Sequence, residues 1–544
     1  MVVPELKAWR AARPHVERIA RAVRPWLVRA LETVRPWLVR AVEAVRPWLV
    51  RSSGAVRPWF ARLTTVQFTA GAALLGLALT ATVVTAAGPW DSSGQRTAER
   101  DLAASREGAG GADHGTGSGP GSGTSPKAPR PAPSAPSVLA GLGRTTGTVS
   151  SPTEQALADV LDPLLDDPSL GSERTAAVVD VATGKRLYGR AADEALTPAS
   201  TTKIATAVAA LSAAGADHRI ATRTALEPGT KELVLVGGGD PTLTAREEAN
   251  GNASLRTLAD KTARALESRK LDAVTLSYDT TLYDGPALHP IGPDNANIAP
   301  VTALMTDEGR LDGSSSGTAD RSTDPAADAA RQFAALLEDR GIKTKSPGPS
   351  KATGRAESLA KVESPPLSAL VERMLTNSDN DIAEALARQT ALASGEQASF
   401  EGASAAIRTQ LKKLELPLEG VKFADGSGLD RADRLTANLL TALFAKAGAP
   451  DHPELRPALT GLPVAGFTGT LRSRYTDQPG TGVVRAKTGT LTGVHTLAGT
   501  VVDAEGRLLA FAFLTSSNRP MDPAATQKAL DGAASALANC GCGA

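Results

Sequence analysis

A serine three residues ahead of a lysine is the first pattern in this sequence able to do covalent chemistry. It stands in Thr197-Pro198-Ala199-Ser200-Thr201-Thr202-Lys203, at the head of an alanine-rich apolar run over 204–211. Residues i and i+3 share one helix face, so Ser200 and Lys203 meet if Thr197 caps a helix and Pro198 fills its first turn. A serine hydroxyl becomes a useful nucleophile when an adjacent base takes its proton. A lysine is that base once desolvation or nearby positive charge lowers its pKa. The spacing alone is common: Ser358-Leu359-Ala360-Lys361 repeats it, but Pro365-Pro366 follow and no apolar helix opens there.

Two further motifs share the chain with it. Ser378-Asp379-Asn380 precedes the run Ile382-Ala383-Glu384-Ala385-Leu386. In a non-helical segment Ser378 and Asn380 face one cleft and supply a hydroxyl for proton relay and an amide for a substrate carbonyl. The same three residues read equally well as a helix cap. Lys487-Thr488-Gly489 ends an apolar strand that begins at Val483-Val484, with Thr490 next. An edge strand pairs with an extended peptide, a lysine and a hydroxyl hold a carboxylate, and glycine admits a ligand close to the backbone. Lys-Thr-Gly occurs once, whereas Ser516-Ser517-Asn518 repeats Ser-x-Asn on the far side of it.

The elements that position these residues begin well inside the chain. At 544 residues the sequence is long enough for several domains. Its formal charge is near zero but uneven, with thirteen Lys/Arg against four Glu in residues 1–62 and all six tryptophans in the first 90. Residues 23–62 repeat Val-Arg-Pro-Trp at a spacing of eleven, ending at Trp26, Trp37, Trp48 and Trp59. Eleven residues make about three helical turns, which puts each Trp on one face while proline segments the helix. The repeat reads either as a duplicated basic flank that fixes topology or as an Arg/Trp surface for the inner leaflet or a cytoplasmic partner.

Residues 63–90 hold no charged side chain, and 68–87 suffice to cross a bilayer as a helix. The Lys/Arg excess places residues 1–62 in the cytoplasm and everything after Trp90 outside the cell. A cleaved signal peptide ending near Thr85-Ala86-Ala87 is the alternative, although the apolar stretch is longer than an ordinary signal core. Residues 91–150, rich in Gly, Ser, Pro and Ala, read as a disordered linker that carries a domain away from the membrane. The two cysteines, Cys540 and Cys542, exclude a disulfide framework. A local bond between them and two incidental thiols both fit.

From residue 151 the pattern is globular. A helix is expected over 152–165 and a hairpin over 176–181 and 186–188, followed by the Ser200 helix. Strands are expected at 232–236, 273–278 and 358–362, with helices at 255–266 and 326–337 between them. Helices then run over 367–375, 382–392, 403–414 and 436–447. Strands at 483–487, 496–502 and 508–515 precede a last helix at 524–538. Strands at both ends flanking helices predict one antiparallel sheet built from the first and last segments.

Ser200-x-x-Lys203, Ser378-Asp379-Asn380 and Lys487-Thr488-Gly489, in that order, resemble the signature of serine β-lactamases and penicillin-binding proteins over about residues 151–540. Ser200 and Ser378 lie 178 residues apart, far more than in a compact β-lactamase, and the excess reads as an insertion. The chain therefore resembles the D-alanyl-D-alanine carboxypeptidase/endopeptidase class of low-molecular-mass penicillin-binding proteins, which carries such an insertion. Gly238-Gly239-Asp240-Pro241, Asp425-Gly426-Ser427-Gly428-Leu429 and Gly469-Thr470-Leu471 also resemble that class. Asp430 and His495 depart from it, each standing where a small residue is usual.

This resemblance implies an α+β fold. A transpeptidase-like catalytic domain, an antiparallel sheet with helices, would comprise residues 151–219 and 366–544, with an inserted mixed α/β domain at 220–365. A single transmembrane helix would precede it. The resemblance further implies Ser200 as nucleophile, Lys203 as its base, Ser378 as proton relay and Asn380 as the group orienting the acyl side chain. Lys487 and Thr488, beside Gly489, would bind the terminal carboxylate, and the backbone N–H groups of Ser200 and Thr490 would form an oxyanion hole. The implied substrates are peptidoglycan stem peptides, with D-Ala-D-Ala carboxypeptidase activity either alone or together with endopeptidase activity, and β-lactams as acylating inhibitors. No cofactor is implied. A β-lactamase would share the triad, and a non-catalytic cell-wall scaffold would keep the fold without needing Lys203.

Other functions find little support. None of the six histidines has zinc-ligand spacing, and His289, between Leu288 and Pro290, reads as a loop residue. Gly237-Gly238-Gly239 lacks the Lys-Ser/Thr of a phosphate loop. No basic surface for nucleic acid is evident outside the membrane flank.

Overall fold

The computed structural model describes residues 152–540. The Arg-Pro-Trp repeat, the apolar span at 63–90, the linker and Cys542 lie outside the described residues. Among the described residues, no helix is long and apolar enough to cross a membrane.

Helix α1 (Glu154–Leu165), capped by the Thr153 side chain, leads into strands β1 (Glu173–Asp180) and β2 (Arg186–Arg190). After a short strand β3 (Ala195–Leu196) and a single 3-10 turn (Ala199–Thr201), helix α2 (Thr202–Ala214) begins. The chain then leaves for a second sheet: β4 (Ala221–Leu226), β5 (Glu232–Val236), α3 (Leu255–Glu267), β6 (Ala273–Asp279), α4 (Pro325–Glu338), β7 (Lys343–Pro349) and β8 (Glu357–Glu363). It returns through α5 (Leu367–Asn377), α6 (Asn380–Ser394) and α7 (Phe400–Lys413), then β9 (Leu435–Thr436), α8 (Ala437–Gly448) and the single turn α9 (Pro457–Thr460). Strands β10 (Val484–Leu491), β11 (Val494–Val502) and β12 (Leu508–Ser516) precede the closing helix α10 (Pro523–Ala538).

The first and last strands form one five-stranded sheet in the order β10-β11-β12-β1-β2, antiparallel throughout, as the sequence predicts. Both faces are covered, so its inner strands are continuous apolar runs rather than alternating ones. On β12 the alternation is one of size: Leu509, Phe511 and Phe513 face a core that includes Leu157, Leu161 and Leu165 of α1 and Leu530 and Leu537 of α10. Ala510 and Ala512 face the opposite core, with Ile204 and Val208 of α2 and Leu440 and Phe444 of α8. Small residues on that face let the helices sit close to the strands. Cys540, buried in the first of these cores, is disulfide-bonded.

The second sheet has the order β7-β6-β5-β4-β8. Strands β5, β6 and β7 run parallel, each joined to the next through a crossover containing one helix, α3 then α4, while β4 lies antiparallel to both neighbours. A dozen or more residues are needed to reverse between parallel strands, and a helix is the usual solution. Helix α3 buries Leu255, Leu258, Ala259, Ala263 and Leu266, an i, i+3, i+4 stripe, against this sheet. Strands β4 and β7 carry mixed or proline-containing sequence, Ala-Thr-Arg-Thr-Ala-Leu and Lys-Thr-Lys-Ser-Pro-Gly-Pro, and hydropathy gave no expectation of them. Ser358 and Lys361, the second Ser-x-x-Lys, fall on β8.

Helix α1 closes the first sheet although it precedes every strand. Leu161→Ala, at a fully buried position, is expected to cost about 2–5 kcal/mol, read as a lower unfolding midpoint in denaturant; an unchanged midpoint would show that α1 does not seal this core.

Candidate active site

Ser200 sits in the 3-10 turn, two residues before α2 begins at Thr202. Thr197 does not cap that helix; its hydroxyl receives a hydrogen bond from Arg434 at 2.9 Å. Ala199, directly before the serine, has a positive φ of 48°. That sharp turn lifts Ser200 out of the helix while keeping its Oγ 3.0 Å from Lys203 Nζ. Helix α2 is buried from Thr202 to Leu211, so Lys203 is taken out of water at 0% exposure.

Lys203 Nζ has two more partners, Asn380 Oδ1 at 2.6 Å and the Ser427 carbonyl at 2.6 Å. Burial lowers its pKa from 10.5 to about 8, against the opposing pull of Asp425 and Asp379. Asn380 is the first residue of α6, with Asp379 as N-cap accepting from Ile382 N at 2.9 Å. Ser378 adopts the left-handed conformation (φ 60°) that ends α5. The motif is thus both a cap and a cleft: Asp379 does the capping, and Ser378 and Asn380 are freed on either side of it.

Lys487, on β10, donates to Ser378 Oγ at 2.8 Å and to the Thr488 carbonyl at 2.8 Å. It too is at 0% exposure. Burial, and after it the charge on Lys203, holds its pKa well below the ordinary lysine value. Thr488 bonds Thr470 Oγ1 at 3.0 Å. Gly489 lies against the nucleophile turn, where a Cβ would stand 2.7 Å from the Pro198 carbonyl oxygen. Thr490 follows, exposed, opposite His495 of β11. β10 is the last strand in its sheet, and residues 463–465 pair with its outer side as far as Ala486. The structure therefore brings Ser200, Lys203 and Asn380 into direct contact, joins Ser378 to Lys487, and lays Gly489 on the serine turn.

Residues 157–318 and 311–537 match the D-Ala-D-Ala carboxypeptidase 3 (S13) family. The chain belongs to that family. It is similar to a carboxypeptidase of Mycobacterium tuberculosis, 36% identical over 431 residues that cover 76% of this chain and 91% of the relative. The D-alanyl-D-alanine carboxypeptidase of Actinomadura sp. (strain R39) is 30% identical over 490 residues, covering 73% of this chain and 88% of the relative. The fold matches crystalline penicillin-binding protein 4 of Haemophilus influenzae with a TM-score of 0.57 at 22% identity, over 70% of this chain and 98% of that one.

Several residues at this family site carried no functional expectation from sequence. Asp425 accepts from the backbone N–H of Ser427, Gly428 and Asp430 at 3.1, 2.6 and 2.8 Å, and so shapes the loop that offers the Ser427 carbonyl to Lys203. His289, expected as a plain loop residue, is buried at 3.0 Å from Asp425 Oδ2. The sequence marks the Asp-Gly-Ser-Gly turn, because Asp favours such local backbone bonds, but gives no sign of His289. Two clusters offer closely spaced ligand atoms among the described residues: His289, Glu384 and Asp425, and Glu308, Asp379 and Asp381. Protein cations already answer their charge. Arg310 and Arg373 pair with Glu308, Arg321 pairs with Asp381, and Lys203 and Arg388 face the first cluster. Neither cluster is assigned a metal.

Gly428 has φ 81°, and a Cβ there would fall 1.9 Å from the Ala199 carbonyl oxygen. Gly428→Ala must therefore displace the serine turn, and acylation by a fluorescent penicillin is expected to slow about a hundredfold, the scale of an ångström-size misplacement; a wild-type rate would separate this loop from the nucleophile.

Proposed function

We propose that the chain is a serine-type D-Ala-D-Ala carboxypeptidase acting through an acyl-enzyme on peptidoglycan stem peptides. The observation that carries this reading is Lys203 Nζ at 3.0 Å from Ser200 Oγ, buried and with its pKa brought down to about 8. Family membership supplies the substrate class.

Ser200 Oγ attacks the carbonyl carbon of the penultimate D-Ala as its proton passes to Lys203. The backbone N–H groups of Ser200 and Thr490 receive the oxyanion, a contribution of roughly 3 kcal/mol per donor in comparable sites. The C–N bond then breaks, and the departing amine takes a proton through Ser378, which Lys487 touches at 2.8 Å. Water hydrolyses the ester. The terminal carboxylate of the substrate binds beside Lys487 and Thr488. A carboxylate there stabilises the ammonium form of Lys487, and the charge so gained pushes Lys203 towards its free-base form, because the two lysines repel. Substrate arrival thereby favours the state of Lys203 that removes the Ser200 proton. A β-lactam amide takes the same place, and its leaving amine stays tethered to the acyl group.

The placement of the enzyme rests on sequence. Residues 63–90, uncharged and preceded by a flank of net charge +9, serve as a single-pass anchor. The catalytic unit at 151–219 and 366–544, with the insertion at 220–365, stands outside the cell on the 91–150 linker. There it meets a polymeric substrate.

Intact mass after penicillin, run beside D-Ala release from a peptide ending in D-Ala-D-Ala, tests the reading. The wild-type chain is expected to gain one penicillin and to release D-Ala, and Ser200→Ala to do neither. An adduct on Ser200→Ala refutes the nucleophile; rapid penicillin loss without an adduct makes the protein a β-lactamase.

A further inference from the structure

A neutral lysine amine has two N–H donors and one lone pair. At Lys203 three oxygens surround the nitrogen, and two of them, Asn380 Oδ1 and the Ser427 carbonyl, can only accept. They take both N–H groups, so the lone pair is left for the Ser200 hydroxyl, 3.0 Å away. This arrangement fails if the Asn380 amide turns over, because its NH2 would then donate into the lone pair and quench the base.

What forbids the turnover comes from the long segment between β6 and α4. Asn380 Nδ2 donates to the Asn297 carbonyl at 2.9 Å, and a carbonyl accepts no Oδ1. Asn297 is itself pinned on both sides. The Asn295 side chain receives the N–H groups of Asn297 and Ile298 at 2.9 and 3.0 Å. Asp381, buried and paired with Arg321 at 3.0 Å, receives the N–H of Ala299 at 2.9 Å.

The same segment reaches the second acceptor. Ile291 N–H donates to His289 Nδ1 at 3.2 Å, which leaves the ring proton on Nε2, facing Asp425 Oδ2 at 3.0 Å. Asp425 in turn holds the N–H of Ser427. The His289 ring is fixed edge-on to Phe400, with centroids 5.3 Å apart.

We infer that the segment 289–299 orients the lone pair of Lys203 towards Ser200, with His289 and Asp381 as positioning residues acting through Ser427 and Asn380. This rests on Lys203 being the base, as proposed above. The insertion is thereby part of the catalytic apparatus and not an appendage beside it.

The test is the saturating acylation rate and the half-saturating concentration for a fluorescent penicillin, measured on the full chain. His289→Ala and Asp381→Ala are each expected to lower the rate about tenfold, the scale of one lost buried hydrogen bond, with the half-saturating concentration little changed. His289→Gln keeps an N–H for Asp425, and Asp381→Asn keeps an acceptor for Ala299, so both are expected to recover most of the rate. The two pairs read separate anchors, so a failure of one alanine variant to fold leaves the other decisive. Wild-type rates in the alanine variants, or equal losses in the alanine and conservative variants, overturn the inference. A wild-type chain that takes no label instead overturns the nucleophile assignment, and this inference with it.

Discussion

A lysine amine buried without a carboxylate in hydrogen-bond contact is the constraint on which this site depends. An ammonium in such a place pays heavily for lost hydration, and the protein offers Lys203 carbonyl-type oxygens at 2.6 Å rather than an ion pair. Such partners satisfy the N–H groups of either protonation state. They do not anchor the charge as a carboxylate would, and the pKa settles at about 8. A base is most useful when its pKa lies near the working pH. Much of the fold serves that end: the Ala/Val/Ile helix α2 removes water, and α6 and the Asp425 loop bring the acceptors.

The second lysine follows the same logic with another outcome. Lys487 is equally buried and also bonds only a hydroxyl and a carbonyl. Two buried amines that repel hold a second proton with difficulty, so charge at one end of the cleft depends on what occupies the other. An anionic substrate end resolves the conflict at Lys487. The glycines of the Lys-Thr-Gly strand and the Asp-Gly-Ser-Gly loop let both elements press on the serine turn, which keeps the two amines and the nucleophile within one small volume.

Legibility in the sequence divided along physical lines. Helices with strong apolar periodicity, such as α3, and strands carrying uninterrupted apolar runs, such as β12, were readable to within a few residues. Strand β4, Ala-Thr-Arg-Thr-Ala-Leu, was not, because its pairing on both sides comes from tertiary context rather than hydropathy. At the site, the three motifs were legible because each concentrates unusual chemistry in a few adjacent residues. Thr197 misled, since Ala199 takes a positive φ and starts the helix later than a simple cap predicts. His289 and Asn297 could not be read at all: one acts by its burial against a distant aspartate, the other through a backbone carbonyl that any residue possesses.

The claim that Lys203 is the base is met most directly by the pH dependence of penicillin acylation. Proton removal needs the free amine, so the rate is predicted to rise about tenfold per pH unit from pH 6 and to level off above about 8, the value to which burial brings Lys203. Lys203→Arg, which cannot supply a free base in this range, is predicted to lose acylation throughout. A rate that stays flat down to pH 6, or an arginine variant that still acylates, would contradict the account.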